Sequence, residues 1–122
     1  MKKILIVEDE LAYIRLLKTQ LTEKGYDVSE AVDGKKGLEM AKKVNPDLIL
    51  LDIRMPVMDG MTMLELLRKE EWGKKMNVII LTNLEPDDKI LSSVITDEPS
   101  YYFVKSDIKL GELLEKIKDL VG

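Results

Sequence analysis

With neither cysteine nor histidine among its 122 residues, the chain can build no disulfide framework, no Cys/His zinc site and no histidine-dependent catalytic triad. Hydrophobic residues at 45% and charged residues at 34% describe a globular chain, long enough for one domain over residues 1–122 with a sizeable core, and the net charge of −4 argues against a nucleic-acid surface. No apolar run approaches the ~20 residues of a membrane span, and the one after Met1-Lys2-Lys3 is too short for a signal peptide, so the cytoplasm is the expected location.

Lys3-Ile4-Leu5-Ile6-Val7 reads as a buried strand that stops at Glu8-Asp9-Glu10. A helix over about 10–24 follows, with Leu11, Ile14, Leu17 and Leu21 at a 3.6-residue period and Gly25 at its end. Tyr26 to Ala31 alternates weakly, as an edge strand does. Asp33 is placed to cap a second helix through Leu38, Ala41 and Val44, which Asn45-Pro46 stops. Leu48-Ile49-Leu50-Leu51 is an uninterrupted apolar run ending at Asp52, the pattern of a strand buried on both faces.

The loop after Asp52 closes at Asp59-Gly60, where a third helix starts with an apolar face of Met61, Met63, Leu64, Leu66 and Leu67 and leaves at Trp72-Gly73. Of the methionines, Met55, Met58, Met61 and Met63 are read as core filler before an adaptable binding surface. Asn77 to Thr82 is a fourth strand with a polar end. Pro86 suits the first turn of the next helix, Asp87 and Asp88 complement its dipole, and Ile90, Leu91, Val94 and Ile95 form its apolar face. Tyr101 to Val104 is a fifth strand ending at Lys105. The last helix is expected over about 107–121, with a seam of Leu110, Leu113, Leu114, Ile117 and Leu120.

Strand and helix alternate throughout, which predicts an α/β fold: a (βα)5, flavodoxin-like parallel sheet in the order 2-1-3-4-5 with helices on both faces. In that order Glu8, Asp9, Asp52, Thr82 and Lys105 all lie at the carboxyl ends of adjacent strands, where such sheets place their ligands. Carboxylates suit a hard cation, and Mg²⁺ takes one or two of them together with waters and phosphate oxygens. A carboxylate beside Mg²⁺ can attack a phosphoryl group to form an aspartyl phosphate. Thr82 and Lys105 are the donors available for the remaining phosphoryl oxygens. Singly, Asp52 reads as a turn cap, Glu8 and Asp9 as a solvated helix start and Lys105 as a surface charge; the convergence argues otherwise.

The segments Ile4-Leu5-Ile6-Val7-Glu8-Asp9-Glu10, Leu50-Leu51-Asp52-Ile53-Arg54-Met55-Pro56-Val57-Met58-Asp59-Gly60, Leu81-Thr82 and Phe103-Val104-Lys105 together resemble the receiver domain of bacterial two-component response regulators. The resemblance implies that Asp52 is the phosphoacceptor and that Asp9, Asp52 and the carbonyl oxygen of Arg54 bind Mg²⁺ directly, with Glu8 acting through water. Thr82 and Lys105 would contact the phosphoryl group, and Tyr102 would rotate inward as Thr82 moves. It also implies a sensor histidine kinase or phosphotransfer protein as donor and a downstream protein as partner. The receiver would catalyse transfer and later hydrolysis on itself without being a conventional enzyme. The unphosphorylated chain is expected to be a monomer, with phosphorylation promoting association through the fourth helix, fifth strand and fifth helix.

Three places depart from the family pattern. Asn83 replaces a small residue after the threonine, Asp97-Glu98-Pro99-Ser100 replaces a Gly-Ala pair, and Ser106 replaces the proline after the lysine. Without that proline a cis bond would cost about 2.5–4 kcal/mol, so Lys105-Ser106 is expected trans, with Lys105 still reaching Asp52 and Ser106 or Asp107 capping the last helix. The alternative function is a receiver-like interaction module that is not phosphorylated. A Mg²⁺-dependent phosphatase would carry Asp-x-Asp where this chain has Glu8-Asp9-Glu10, and an FMN binder would need a Ser/Thr/Gly-rich loop there. The chain ends at Gly122, just after the last helix; a receiver acting alone by docking and one cut from a longer protein both fit that expectation.

Overall fold

The computed structural model describes residues 1–122. Five strands, β1 (Lys3–Val7), β2 (Asp27–Ala31), β3 (Leu48–Leu51), β4 (Asn77–Thr82) and β5 (Tyr101–Val104), form one parallel sheet in the order 2-1-3-4-5. Five helices connect and flank them: α1 (Leu11–Glu23), α2 (Gly34–Val44), α3 (Gly60–Lys69), α4 (Asp88–Asp97) and α5 (Leu110–Val121).

Alternation along each inner strand divides the core into two layers. Ile4, Ile6, Leu48, Leu50, Ile79 and Leu81 face α1 and α5, meeting Ile14, Leu17, Leu21, Leu113, Ile117 and Val121. Leu5, Val7, Ile49, Leu51, Val78 and Ile80 face α2 and α3, meeting Ala41, Met63, Leu64 and Leu67. A strand whose two faces are both apolar can sit only between two helical layers, which is why β1, β3 and β4 are central and the more polar β2 is at an edge.

Three helix starts are capped as their sequences require: Asp33, Asp59 and Asp87 accept from the backbone N–H groups of Lys36, Thr62 and Ile90, each at 2.8 Å. Pro86 therefore precedes the N-cap of α4 instead of occupying its first turn. The last helix also differs from expectation. It starts at Leu110, and neither Ser106 nor Asp107 caps it; Asp107 is held by its own N–H bonding to the Val104 carbonyl at 2.9 Å, and Glu112 accepts from the Lys109 N–H at 3.4 Å. A turn thus consumes the residues that spacing assigned to the helix start. Leu11 is exposed and outside the α1 seam. On α4, Leu91 and Ile95 face solvent while Ile90 packs on the second layer. Met63 is core, and Met55, Met58 and Met61 lie half-buried against it.

The stretch 97–100 finds its own solution to the turn before β5. Glu98 closes α4 with φ 46°, a left-handed position that glycine adopts more readily. Arg68 of α3 braces it: Nε donates to the Asp97 carbonyl at 2.7 Å, one terminal nitrogen to Gly73 and Met76, each at 2.8 Å, and the other to Glu98 at 3.1 Å.

Gly60 governs the approach of α3 to the sheet. A Cβ there would lie 2.0 Å from the Asp52 carbonyl oxygen, against rigid backbone. Gly60→Ala should lower stability by about 1–3 kcal/mol, whereas Gly111→Ala, with nothing within 4 Å of the added carbon, should raise it by about 0.5–1 kcal/mol. Urea unfolding of the two variants gives shifts of opposite sign if the close approach is real, and an unmoved midpoint for Gly60→Ala contradicts it.

Candidate functional site

Parallel register brings the polar ends of the inner strands together. Val7 is paired with Leu51 and Leu51 with Ile80, so Glu8 and Asp52 leave the sheet side by side. The ladder runs one step further, with the Asp52 N–H donating to the Val7 carbonyl at 3.0 Å. On the other side Thr82 is opposite Val104, and the Lys105 N–H donates to the Thr82 carbonyl at 2.7 Å. All peptide bonds are trans, that of Lys105-Ser106 included.

Glu8 and Asp52 are buried and Asp9 is exposed, and one carboxylate oxygen from each lies within 4.8 Å of the others. The second oxygen of Glu8 is held by the N–H groups of Asp9 and Glu10 at 3.0 and 3.1 Å. Asp52 Oδ1 accepts from the Ile53 N–H at 2.7 Å. The Lys105 ammonium enters this group of carboxylates, bonding to Glu8 and standing 3.5 Å from Asp52 Oδ2. It also lies over the ring of Tyr13, 4.3 Å from the centroid.

Burial pushes the Glu8 carboxyl up to about 7, although the bond from Lys105 and the Glu10 N–H pull it back. Burial alone would lower the Lys105 ammonium, but its bond to Glu8 and the charge of Asp52 raise it above its ordinary value. The cluster thus holds more negative charge than one ammonium offsets, the setting in which a further cation is stabilising.

Thr82 is buried beside this group, its hydroxyl oxygen accepting from the Leu84 N–H at 3.4 Å. Asn83 is exposed at the rim. Arg54 is exposed and lines a cavity of about 550 Å³ together with Asp9, Met55, Met61 and Lys89. The Tyr102 hydroxyl donates to the Leu84 carbonyl at 2.8 Å, and its ring packs on the second core layer. Burial, then the charges of Glu85 and Asp87, push that hydroxyl's pKa up.

The loop over the site is under tension. Val57 has φ 68°, and the Met58 N–H donates to the Pro56 carbonyl at 2.7 Å across it. A β-branched residue there costs about 1–3 kcal/mol. The Gly34 N–H holds the loop by bonding to the Met58 carbonyl at 2.9 Å. Tyr13 was not singled out from the sequence; its signal was a lone aromatic in the first turn of α1, on the helix end that faces the strand ends.

The sequence profile of the response regulator receiver domain matches residues 4–118. The chain belongs to the response regulator receiver family. Among curated relatives, the DNA-binding dual master transcriptional regulator RpaA of Synechocystis is 35% identical over 122 residues, covering 99% of this chain and 49% of RpaA. This receiver thus spans about half the length of that relative. The chemotaxis protein CheY of Treponema pallidum is 32% identical, covering 98% of this chain and 82% of CheY. Among solved structures, the receiver domain of the sensor histidine kinase PA1611 of Pseudomonas aeruginosa aligns with a TM-score of 0.86 at 27% identity, covering 99% of this chain and 98% of that one; it has a magnesium ion coordinated in its active site cleft. Receiver domains work with histidine kinases or phosphotransfer proteins, and the acidic cluster of this one has the oxygen donors that such a magnesium site uses. No helix is long and apolar enough to cross a membrane.

The raised Glu8 has a consequence for stability in the absence of divalent cations. Between about 4.5 and about 7 the folded chain retains a proton that the unfolded chain has released, so this contribution is complete below that window and is lost as pH rises through it. Lys105 stays charged across the same range. Denaturant melts should lose roughly 1–3 kcal/mol over this window, and Glu8→Gln should flatten the curve. A wild-type curve as flat as the variant's contradicts the assignment.

Proposed function

We propose that this chain is a phosphorylation-controlled signalling receiver. It accepts a phosphoryl group onto Asp52 from a sensor histidine kinase or phosphotransfer protein and thereby switches its contact with a downstream protein. The observation that carries this reading is the Lys105 ammonium at 3.5 Å from Asp52 inside a cluster of three carboxylates. An ion pair serving stability alone would not be surrounded by surplus negative charge.

The donor set is entirely hard oxygen, which suits Mg²⁺. Asp9, Asp52 and the Arg54 carbonyl would hold the ion directly, with Glu8 acting through water. When bound, it would offset the charge of the carboxylate and phosphoryl oxygens. The Ile53 N–H fixes the orientation of the Asp52 carboxylate, which forms the new P–O bond as the P–N bond to the donor imidazole breaks. The imidazole leaves with that electron pair and takes up a proton. Lys105 offsets charge on the phosphoryl oxygens, and the Thr82 hydroxyl donates to one of them. Hydrolysis of the acyl phosphate by water later returns Asp52.

For Thr82 to turn toward a phosphate, its hydroxyl must give up the Leu84 N–H. Leu84 also carries the carbonyl that holds Tyr102, which supports Tyr102 as the element that follows. On α4, Leu91 and Ile95 are exposed apolar residues, a surface suited to a protein partner or a second copy. The net charge of −4 supports a receiver that itself makes no nucleic-acid contact.

Asp52→Asn should abolish hydroxylamine-sensitive labelling by phosphoramidate with Mg²⁺ while leaving the thermal melt close to wild type. Label kept at wild-type level in that variant refutes Asp52 as acceptor. Sedimentation should give a monomer for the untreated chain and association with beryllofluoride. A tight dimer without it contradicts the proposed switch.

A further inference from the structure

Tyr13 touches the Lys105 ammonium from outside the acidic cluster. We infer that its ring is a positioning element for Lys105: it clamps the ammonium from the α1 side and does the aiming for which backbone geometry after the lysine is not used in this chain. The inference rests on the phosphoacceptor reading of Asp52.

The backbone of Lys105 is anchored where its N–H continues the ladder to Thr82. Beyond that point its side chain has four rotatable carbon bonds, and an ammonium has no directional fork of its own. Ser106 follows it through a trans bond and is exposed. Direction must come from what surrounds the ammonium, and three groups do: Glu8, Asp52 and the face of Tyr13. The two carboxylates are not dedicated partners. Both belong to the acidic cluster, and a cation held there would draw on the same oxygens and repel the ammonium. The ring face attracts a cation through its quadrupole and cannot be taken over by a metal. At 4.3 Å from the centroid, the ammonium is well inside the range of about 6 Å for that attraction.

Tyr13 is itself rigidly placed. It stands in the first turn of α1 and packs against the core layer that Ile14 and Leu17 enter from the same helix. The Lys105 side chain is 10% exposed, so the contact is largely shielded from water, where such interactions are strongest. The ring accounts for the contact without help from the hydroxyl, so phenylalanine should serve as well.

Two measurements test this on the full chain. In the unphosphorylated, metal-free protein, the Lys105 methylene protons beside the ammonium should resonate upfield from the ring current of Tyr13. Tyr13→Phe should keep that shift and Tyr13→Leu should lose it. In labelling by phosphoramidate with Mg²⁺, Tyr13→Leu should be about 5- to 10-fold slower than wild type, Tyr13→Phe should restore the rate, and Tyr13→Leu should add no slowing in a Lys105→Met background. An absent upfield shift in wild type overturns the inference. So does a Phe variant as slow as Leu, or a Leu effect that survives removal of Lys105. A wild type that takes no label at all overturns the Asp52 reading instead, and the spectra still decide whether the ring holds the lysine.

Discussion

Two carboxylates are buried at the end of an apolar sheet against a single ammonium, and much of the molecule is arranged around that imbalance. Removing charged groups from water costs several kcal/mol each unless partners replace the water. Here the replacement is partial. Glu8 is held by two N–H groups and Lys105, and Asp52 by one N–H and the same lysine at longer range. Full satisfaction would make a stable core and an inert one. The partial arrangement leaves negative charge in surplus at the strand ends, the setting in which a functional carboxylate is expected.

Maintaining such a cluster requires stiff surroundings, and the backbone supplies them at points where only a glycine fits. Gly60 lets α3 sit against the Asp52 carbonyl, and Gly34 lets α2 hold the Met58 carbonyl. Between those clamps Val57 is forced into a left-handed conformation. Strain of that kind persists only where both flanks are fixed. The β3–α3 loop is therefore a preset wall of the site rather than a flexible flap.

On the opposite wall side chains of β4 and β5 meet at Leu84. Thr82 and Tyr102 both lean on the backbone of Leu84, through its N–H and its carbonyl. That shared residue is a physical link between the strand ends and the exposed side of α4 and β5.

The amino-acid sequence alone determined the order of elements, the two-layered core and the identity of the acidic and basic groups at the strand ends. Period-2 and period-3.6 patterns are local, and a strand such as Leu48–Leu51, apolar on both faces, has one possible place in a sheet. The cap Asp33 and the trans bond after Lys105 were legible for the same reason, since each depends on a few neighbouring residues. The helix α5 starts at Leu110 because a turn at 104–107 takes residues that suit a cap, and Leu11, the first residue of α1, is exposed while Ile14, Leu17 and Leu21 form the buried seam. Only the tertiary structure decided that Tyr13 meets Lys105 and that Arg68 braces Glu98. Those partners are far apart in the chain, and their meeting depends on how helices pack across the sheet, which no local pattern encodes.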